Sequence, residues 1–495
     1  MKKRSKAEST GKLVITLEKG LFILFLYWIG IVLTFYYRNA YFDILDAKAE
    51  LFFSGTKLFM PLGIAAIIGR LARREIKISV FQLFLLSFLL SSAISTFSSY
   101  DPYSAFVGNQ GWYVGYYSIA SLIVVYLAFG NKPISIRKEF YYPLLLASLL
   151  QYLLIISDAM GFDLLSMRTQ LEESSHFAYL GTLGNSNWIV GYLSLMLPLQ
   201  ICFYLSAKSR YKTCFDFVLS LSGLLASILI GADGMYVSMG IYFLLLAPFI
   251  MENIERIKRF LILIGTFLIM LILISVLEVF EPFFVYYDSI GKLLFDHKIL
   301  FLLFFVLVLL FFFVLKLDPE SYDKKKDKYI KLVMISYVLA VAAIVSFAIA
   351  YRGDKLDNYR FELWNLSLKQ FARFDTFHKL FGLGPEMLRN VYSPLFEKYG
   401  VVYTVSHSEP IQILLTMGVF GLLFWSLCWI CLLGSLFHKE GRGYSKKCAV
   451  FASAFAYLGQ AFVNSATLLN LCFLTLFVIH LSVDCEEYQK VDENV

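Results

Sequence analysis

Charged residues are scarce in this sequence, at 16% of its 495 positions, whereas 59% of the residues are hydrophobic. Continuous apolar runs recur along the whole chain, many of them close to the length of about 20 residues that a helical membrane span needs. This composition excludes an ordinary water-soluble protein. The net charge of +7 comes from short basic clusters between the apolar runs, so it does not indicate nucleic acid, and we expect no nucleic-acid partner.

Cysteine and histidine are also few, with seven and six residues respectively. None of the cysteines falls in a segment that we place outside the cell, so disulfides are not expected. Cys428 and Cys431 have a spacing found in metal sites, but they lie in an apolar run without other ligands nearby. A role in the core is therefore favoured over metal binding.

The apolar runs predict an all-α polytopic membrane protein with about fourteen transmembrane helices. The runs are continuous rather than alternating, which favours helices over a barrel. The first run is as long as a span and lacks a small-residue cleavage site, so we interpret it as a membrane helix and not as a signal peptide. We see no internal repeat, and we treat residues 1–495 as one membrane domain. The predicted spans are 20–37, 51–69, 79–96, 113–130, 139–157, 186–206, 214–232, 235–251, 260–279, 299–316, 329–350, 411–437, 448–464 and 467–483.

The basic residues predict the orientation of these spans. With the N-terminus in the cytoplasm, most of the 44 lysines and arginines fall in inner segments, which is the positive-inside pattern. Both termini are then cytoplasmic. Residues 351–410, the longest polar stretch between two apolar runs, form one large extracytoplasmic loop between spans 11 and 12. We expect any chemistry to be held in this loop.

Helical spacing organises the first half of the loop. Arg360 and Trp364 are four residues apart and share a face. Pro385, after a glycine-rich turn at 381–384, suits the start of a second short helix toward Tyr399. The alternative is a helix that rests on the membrane interface with Arg360 snorkelling to the head groups. The predicted apolar stripe is Leu356, Tyr359, Leu363, Trp364, Leu368, Phe371 and Phe374.

His407 is the strongest candidate for proton transfer. It lies between the polar loop and the twelfth span, with Glu409 two residues further on and Tyr403 just before it. An imidazole titrates near neutral pH and can take a proton from a hydroxyl. Glu409, Tyr403 and, on the preceding helix, Trp364 are candidate substrate-binding residues. The other histidines lack a recognisable setting.

A second candidate site lies at residues 180–188, before the sixth span. Asn185 is a good helix cap, and Asn187 follows it in the first turn. The exposed helix start and two glycines, Gly181 and Gly184, would suit an anion such as phosphate. Capping alone explains Asn185 equally well, and both interpretations stay open.

Two further features of the outer side have competing interpretations. Lys57 lies inside an apolar run, where a cation is expected to face a cavity or a partner, unless it snorkels to the outer head groups. Residues 99–115 are rich in glycine and aromatic residues, which can stack on sugar rings. Aromatic residues are also the usual belt at the membrane interface, and we favour that explanation.

Taken in order, these stretches resemble the O-antigen ligase and O-antigen polymerase superfamily of bacterial membrane proteins. The resemblance covers about residues 180–435, with a looser match at 101–115. The last motif is similar to the family's His-Asn-x-x-Leu-Gln signature followed by Gly-x-x-Gly-Leu. The matching motifs are 181–187, Arg360-x-x-x-Trp364, Gly382-Leu-Gly384-Pro, and His407 running to Gly418-Val-Phe-Gly421.

The resemblance implies a membrane glycosyltransferase of the GT-C type in the plasma membrane of a bacterium. It would move a glycan from undecaprenyl pyrophosphate to an acceptor hydroxyl on a glycan, lipid or protein. No metal or other cofactor would be needed, because the lipid pyrophosphate is already a good leaving group. His407 would act as base or orient the acceptor, and Arg360 would bind the pyrophosphate with its bidentate guanidinium.

The sequence departs from the family at two positions. Many members carry Ser-Arg where Ala232 and Asp233 stand, and an arginine where Trp112 stands. If those arginines hold the pyrophosphate, other cations must replace them. The candidates are Lys57, Arg38, Arg352 and Lys355.

Two questions stay open at this level. The sequence does not separate a ligase, which moves a finished glycan to another acceptor, from a polymerase, which joins repeat units. A different class, a transporter or flippase of lipid-linked oligosaccharide, would also fit about fourteen spans. Against it, the spans hold few ionisable groups and show no repeated halves with broken helices, which are the usual pointers to a transport site.

Overall fold

A computed structural model describes residues 20–73, 78–130, 142–280, 297–352, 360–393, 402–434 and 444–481. Within these ranges the chain is almost entirely helical, with a single two-stranded sheet. In chain order the elements are α1 (Gly20–Leu33), α2 (Ile44–Ala72), α3 (Val80–Phe97), α4 (Pro102–Val107), α5 (Tyr116–Phe129), α6 (Tyr142–Ala159), a 3-10 helix (Glu173–Ala178), β1 (Tyr179–Leu180), β2 (Gly184–Asn185), α7 (Ser186–Ser206), α8 (Arg210–Leu229), α9 (Asp233–Met251), α10 (Ile254–Phe280), α11 (His297–Leu315), α12 (Pro319–Arg352), α13 (Arg360–Arg373), α14 (Thr376–Phe381), α15 (Glu409–Gly434), α16 (Tyr444–Ala461) and α17 (Leu468–Leu481).

A helix lies in each of the predicted span ranges. Among the described residues, nine helices are long and apolar enough to cross a membrane, and α1, α5, α16 and α17 are shorter apolar helices. Large apolar side chains are exposed along α10 and α11, for example Phe305 and Leu309. Such a surface is stable only when hydrocarbon covers it. The protein is therefore a multi-pass membrane protein.

Helix α7 lies at the centre of the bundle. It is apolar on every side, as is typical of a buried helix, and almost all of its side chains are buried. It packs against α8, α9, α16 and α17. The hairpin of β1 and β2, paired Tyr179 with Asn185 and Leu180 with Gly184, leads directly into α7.

Helix α15 is broken at Gly418, where φ is 70° and ψ is −168°. Only glycine adopts such a conformation readily, and a Cβ at this position would lie 2.3 Å from the backbone carbonyl carbon of Leu380. The break divides α15 into a segment of 409–417 and a longer segment of 419–434. It explains why the glycine stands inside a continuous apolar run.

The carbonyl groups freed by this break all find donors. Leu383 N–H donates to the Leu415 carbonyl at 3.1 Å and Gly384 N–H to the Thr416 carbonyl at 2.9 Å. The Thr416 carbonyl also accepts from the Ser95 hydroxyl, and the Met417 carbonyl accepts from the Ser91 hydroxyl at 3.3 Å. Unpaired carbonyls inside a bilayer are costly. These hydrogen bonds connect the segment after α14 and the end of α3 to the bend. We call the four donors and the three carbonyls the bend contacts.

Helix α13 packs on the start of α15 and shares a small core with the turns after α14. Ser367 Oγ lies 2.9 Å from Tyr392 Oη, inside this core. The predicted stripe is wrong at Leu368, which is 50% exposed, because the packed face is turned toward Leu363 and Ser367 instead. Leu356 and Tyr359, at the start of the predicted helix, lie outside the described residues. The core consists of Leu363, Leu388, Val391, Tyr392 and Leu415.

Residues 385–392 form hydrogen-bonded turns where the sequence predicted the start of a second helix, and residues 394–399 of that prediction lie outside the described residues. Glu386 has a φ of 60°, which a right-handed helix does not accommodate. Its buried carboxylate accepts hydrogen bonds from the backbone N–H groups of Asn109 and, at 2.8 Å, Val114. Contact with residues 109–114 therefore overrides the local preference for a helix after Pro385.

Candidate functional site

The starts of α9, α13 and α15 meet at one end of the bundle, together with the turn between α16 and α17. Glu409 N–H donates to the Asn464 carbonyl at 3.1 Å, which ties α15 to that turn. A Cβ on Gly234 would lie 2.5 Å from Asn464 Nδ2, so α9 also approaches the turn closely. Residues far apart in the sequence are thereby brought to one place.

Arg360 and Asp233 face each other in this region. Arg360 Nη1 lies 4.0 Å from Asp233 Oδ2, and their side chains are only 13% and 27% exposed. Asp233 is the first residue of α9, where the helix dipole favours a negative charge. The position at which many members of the resembled family carry an arginine thus holds a carboxylate that is itself in contact with Arg360.

His407 stands in a strained turn just before α15. Its φ is 49°, a left-handed value that costs a non-glycine residue about 1–3 kcal/mol. The turn is held from both sides: Trp364 Nε1 donates to the Ser406 carbonyl at 3.0 Å, and Ser406 Oγ donates to the Ser408 carbonyl at 2.6 Å. The indole of Trp364 therefore fixes the histidine turn, a role that the sequence did not suggest.

Burial and, to a smaller extent, the positive charge of Arg360 together lower the pKa of His407 to about 4. Both effects disfavour the imidazolium form. The imidazole is therefore neutral at pH 7. Since Trp364, one turn after Arg360 on α13, donates to the Ser406 carbonyl, the start of α13 lies beside the turn that holds His407.

Tyr403 and Glu409 flank the histidine turn and point to different surroundings. Tyr403 packs against the small core beneath α13. The Glu409 carboxylate is buried and accepts two hydrogen bonds, from Trp425 Nε1 and Tyr457 Oη, each at 3.3 Å. Glu409 lines a cavity, described below, that neither Arg360 nor His407 lines.

Asn185 caps α7, and Asn187 lies in its first turn. The Asn185 side chain accepts from the Asn187 N–H at 2.9 Å, as a helix cap does. The nearby Gly181 N–H donates to Asp158 Oδ2 at 2.6 Å. The Asn185 side chain thus occupies one N–H of the helix start, and a carboxylate of the protein itself occupies the neighbouring Gly181 N–H, which favours the capping interpretation.

Lys57 and Lys48 differ sharply in their surroundings. Lys57 is exposed on α2 and does not line the cavity described here. Lys48 is buried, and its Nζ donates to the carbonyls of Leu33, Thr34 and Tyr36 at 2.7, 2.8 and 2.9 Å. Lys48 therefore caps the end of α1. The sequence signal was a lysine close to an apolar run, but the predicted span began after it.

The remaining candidate cations do not supply a phosphate site within the described part of the chain. Arg38 pairs with Asp43 and Glu50, each at 2.7 Å. The side chain of Arg352 and all of Lys355 lie outside what the structure describes. Trp112 packs edge-on against Trp188 with ring centroids 6.2 Å apart.

A cavity of about 190 Å³ lies between α3, α5, α15 and α17. Glu386, Glu409 and Gln412 stand at one end of it. Burial raises the pKa of Glu386 to about 7, against the opposing effect of its two backbone hydrogen bonds. The cavity could not be predicted from the sequence, because its polar residues come from three separate stretches. In the described ranges, no three side chains of His, Cys, Asp and Glu come together in a metal-binding arrangement.

Comparison with known proteins adds no family. A scan of the sequence against protein-family models finds no match, and no curated protein matches the chain. The geometry of the site and the motifs of the sequence are therefore the basis for a functional assignment.

Proposed function

We propose that this chain is a glycosyltransferase of the bacterial plasma membrane. It would transfer a glycan from undecaprenyl pyrophosphate to an acceptor hydroxyl on the outer side of that membrane, as in O-antigen ligation or polymerisation. The observation that carries the proposal is that α13, which begins at Arg360, is hydrogen-bonded through Trp364 to the left-handed turn of the buried His407. A cation near a neutral imidazole is an arrangement that this transfer can use.

In this reaction the acceptor oxygen attacks the anomeric carbon of the donor sugar. The bond from that carbon to the pyrophosphate oxygen breaks as the new glycosidic bond forms, and the hydroxyl proton passes to His407. Arg360 neutralises the charge on the departing lipid pyrophosphate. Trp364 acts as a positioning residue, because it holds the turn that presents His407.

Asp233 places a negative charge beside the cation of the proposed phosphate site. Its carboxylate lies 4.0 Å from the Arg360 guanidinium, so an incoming pyrophosphate must share or displace that contact. An acid in this position orients Arg360 before the donor binds and weakens the hold on the pyrophosphate product. We therefore expect Asp233→Asn to lower the KM for the donor several-fold.

The decisive experiment uses purified full-length protein with a lipid-pyrophosphate-linked sugar and an acceptor. Release of undecaprenyl pyrophosphate is measured. His407→Ala and Arg360→Ala are expected to reduce release by at least about 100-fold, the usual weight of a base or an oxyanion partner. His378→Ala and Arg373→Ala, on the same loop, are matched controls that should retain activity. Normal turnover by either site variant would overturn the assignment.

One observation favours the transporter alternative. Helix α15 is broken at Gly418 beside a cavity, and broken helices line the substrate sites of many transporters. The two functions separate in a defined system: a flippase moves lipid-linked sugar across reconstituted vesicles without releasing undecaprenyl pyrophosphate. Movement without release, unaffected by His407→Ala, would establish the alternative.

A further inference from the structure

The cavity between α3, α5, α15 and α17 has no part in the proposed transfer, since neither Arg360 nor His407 lines it. Its volume of about 190 Å³ exceeds the 150 Å³ of an engineered apolar cavity that binds benzene. Its walls are mainly hydrocarbon and aromatic. They include Phe88, Leu122, Met417, Trp429 and Leu474.

The cavity is elongated along the helices. On α5 its lining runs from Ile119 to Tyr126, and on α17 from Leu471 to Val478. The two ends of each stretch are seven residues apart, which corresponds to about 10 Å along a helix axis. Deep in the cavity, the Thr475 hydroxyl is bonded to the Leu471 carbonyl at 2.8 Å. A flexible hydrocarbon chain fits this long apolar shape better than a compact polar solute.

The polar end of the cavity offers both acceptors and a donor. Each Glu409 oxygen accepts one long hydrogen bond of 3.3 Å and has lone pairs left for another. The Gln412 carbonyl oxygen accepts from the Ser465 hydroxyl at 3.0 Å. The Gln412 Nε2 group makes no hydrogen bond within the described residues, and it stays available as a donor.

The lining of the cavity in the described part of the chain contains Glu386 and Glu409 but no lysine, arginine or histidine. A phosphate, which only accepts hydrogen bonds and is negatively charged, is disfavoured there. An ammonium group would satisfy Glu409 but not Gln412. A hydroxyl group both donates and accepts, so of these three groups it is the one that matches both side chains.

We propose that this cavity binds one hydrocarbon chain of a lipid whose uncharged hydroxyl head lies between Glu409 and Gln412. The site is distinct from the phosphate region at Arg360, and the inference goes beyond the transfer reaction. It holds whether or not the protein is a transferase.

The test is photolabelling of the full-length protein in detergent with a long-chain primary alcohol that carries a diazirine in its chain. Mass spectrometry is expected to find the label on α15 and α17, at residues such as Met417, Cys428 and Thr475. Decanol should displace the label at a concentration at least tenfold lower than decyl phosphate or decylammonium. Equal displacement by all three would overturn the head-group assignment.

Two substitutions at one position test where the hydrocarbon chain of the lipid binds. Thr475→Phe fills the cavity and is expected to abolish the labelling of α15, whereas Thr475→Val has the same size and should keep it. Gln412→Leu should remove the preference for decanol while leaving the chain in place. Unchanged labelling in Thr475→Phe would show that the hydrocarbon chain binds elsewhere.

The same labelling on His407→Ala protein separates this inference from the proposed function. Retained labelling with lost transfer supports both. Loss of labelling in all proteins, with transfer intact, overturns the cavity site alone.

Discussion

Glu409 and Trp425 belong to one helix, yet Trp425 Nε1 donates to Glu409 Oε1 at 3.3 Å across a separation of 16 residues. In a straight helix this separation is about 24 Å, which is a longer distance than two side chains can span. The bond forms because α15 turns at Gly418, which brings Glu409 of its first segment and Trp425 of its second segment to one cavity. The start of α15, with His407 just before it, lies against α13 and the turn between α16 and α17.

The bend predicts a strong effect of Gly418→Ala. A Cβ there meets the Leu380 backbone, and φ is 70°, so the variant is expected to lose about 2 kcal/mol or more of stability. A thermal melt in detergent should show a fall of several degrees in Tm. Gly434→Ala is the control on the same helix, because nothing lies within 4 Å of its Cβ position. Equal melting of the two variants would contradict the bend.

Glu386 predicts a specific pH dependence of stability. Its pKa rises from 4.5 to about 7 in the folded protein because it is buried. Between these values the folded state keeps a proton that the unfolded state has released, so the free energy of unfolding falls as the pH rises. Glu386→Gln resembles the protonated carboxyl and should remove this component. Melting curves at pH 5 and 7.5 measure it, and identical pH dependence in both proteins would refute it.

Arg360 is expected to control the protonation of His407. Its charge contributes to the low pKa of about 4, although burial contributes more. Arg360→Gln should therefore raise this pKa. Diethylpyrocarbonate reacts with neutral imidazole, so modification of His407 at pH 5 relative to pH 7 should fall by about half if the pKa reaches about 5. Arg373→Gln is the matched control. No change in Arg360→Gln would mean that the two groups do not interact.

The proposed orientation predicts which residues a reagent reaches from outside the cell. In a protein without native cysteines, Thr376→Cys on the exposed surface near α14 should react with a membrane-impermeant maleimide in intact cells. Lys324→Cys, exposed near the start of α12, should react only after lysis. The opposite pattern would invert the topology and remove the outer-side reaction.

The sequence predicted the helices well because an apolar run in a bilayer has few alternatives. It did not predict what depends on contacts between distant residues. The bend at Gly418 lies within a continuous apolar run, and only the meeting with Leu380 reveals it. In the same way, Glu386 forms a turn because residues 109–114 bind its carboxylate, and Lys48 caps a helix that precedes it by a whole loop.

Within the candidate site, the sequence identified Arg360 and His407, since a cation and an imidazole are conspicuous in a polar loop. It assigned Lys57 a possible partner, whereas among the described residues the buried lysine is Lys48. It could not foresee that Asp233 contacts Arg360, because 126 residues separate the two and no periodicity connects them.

The bend contacts have a consequence for how molecules enter and leave. Since Leu383 supplies the hydrogen bond that the Leu415 carbonyl lacks within the bent helix, swinging this segment aside would leave that carbonyl unpaired in hydrocarbon. We therefore expect this segment to stay in place and not to open as a gate. Molecules are expected to enter the cavity laterally, from the lipid phase between neighbouring helices.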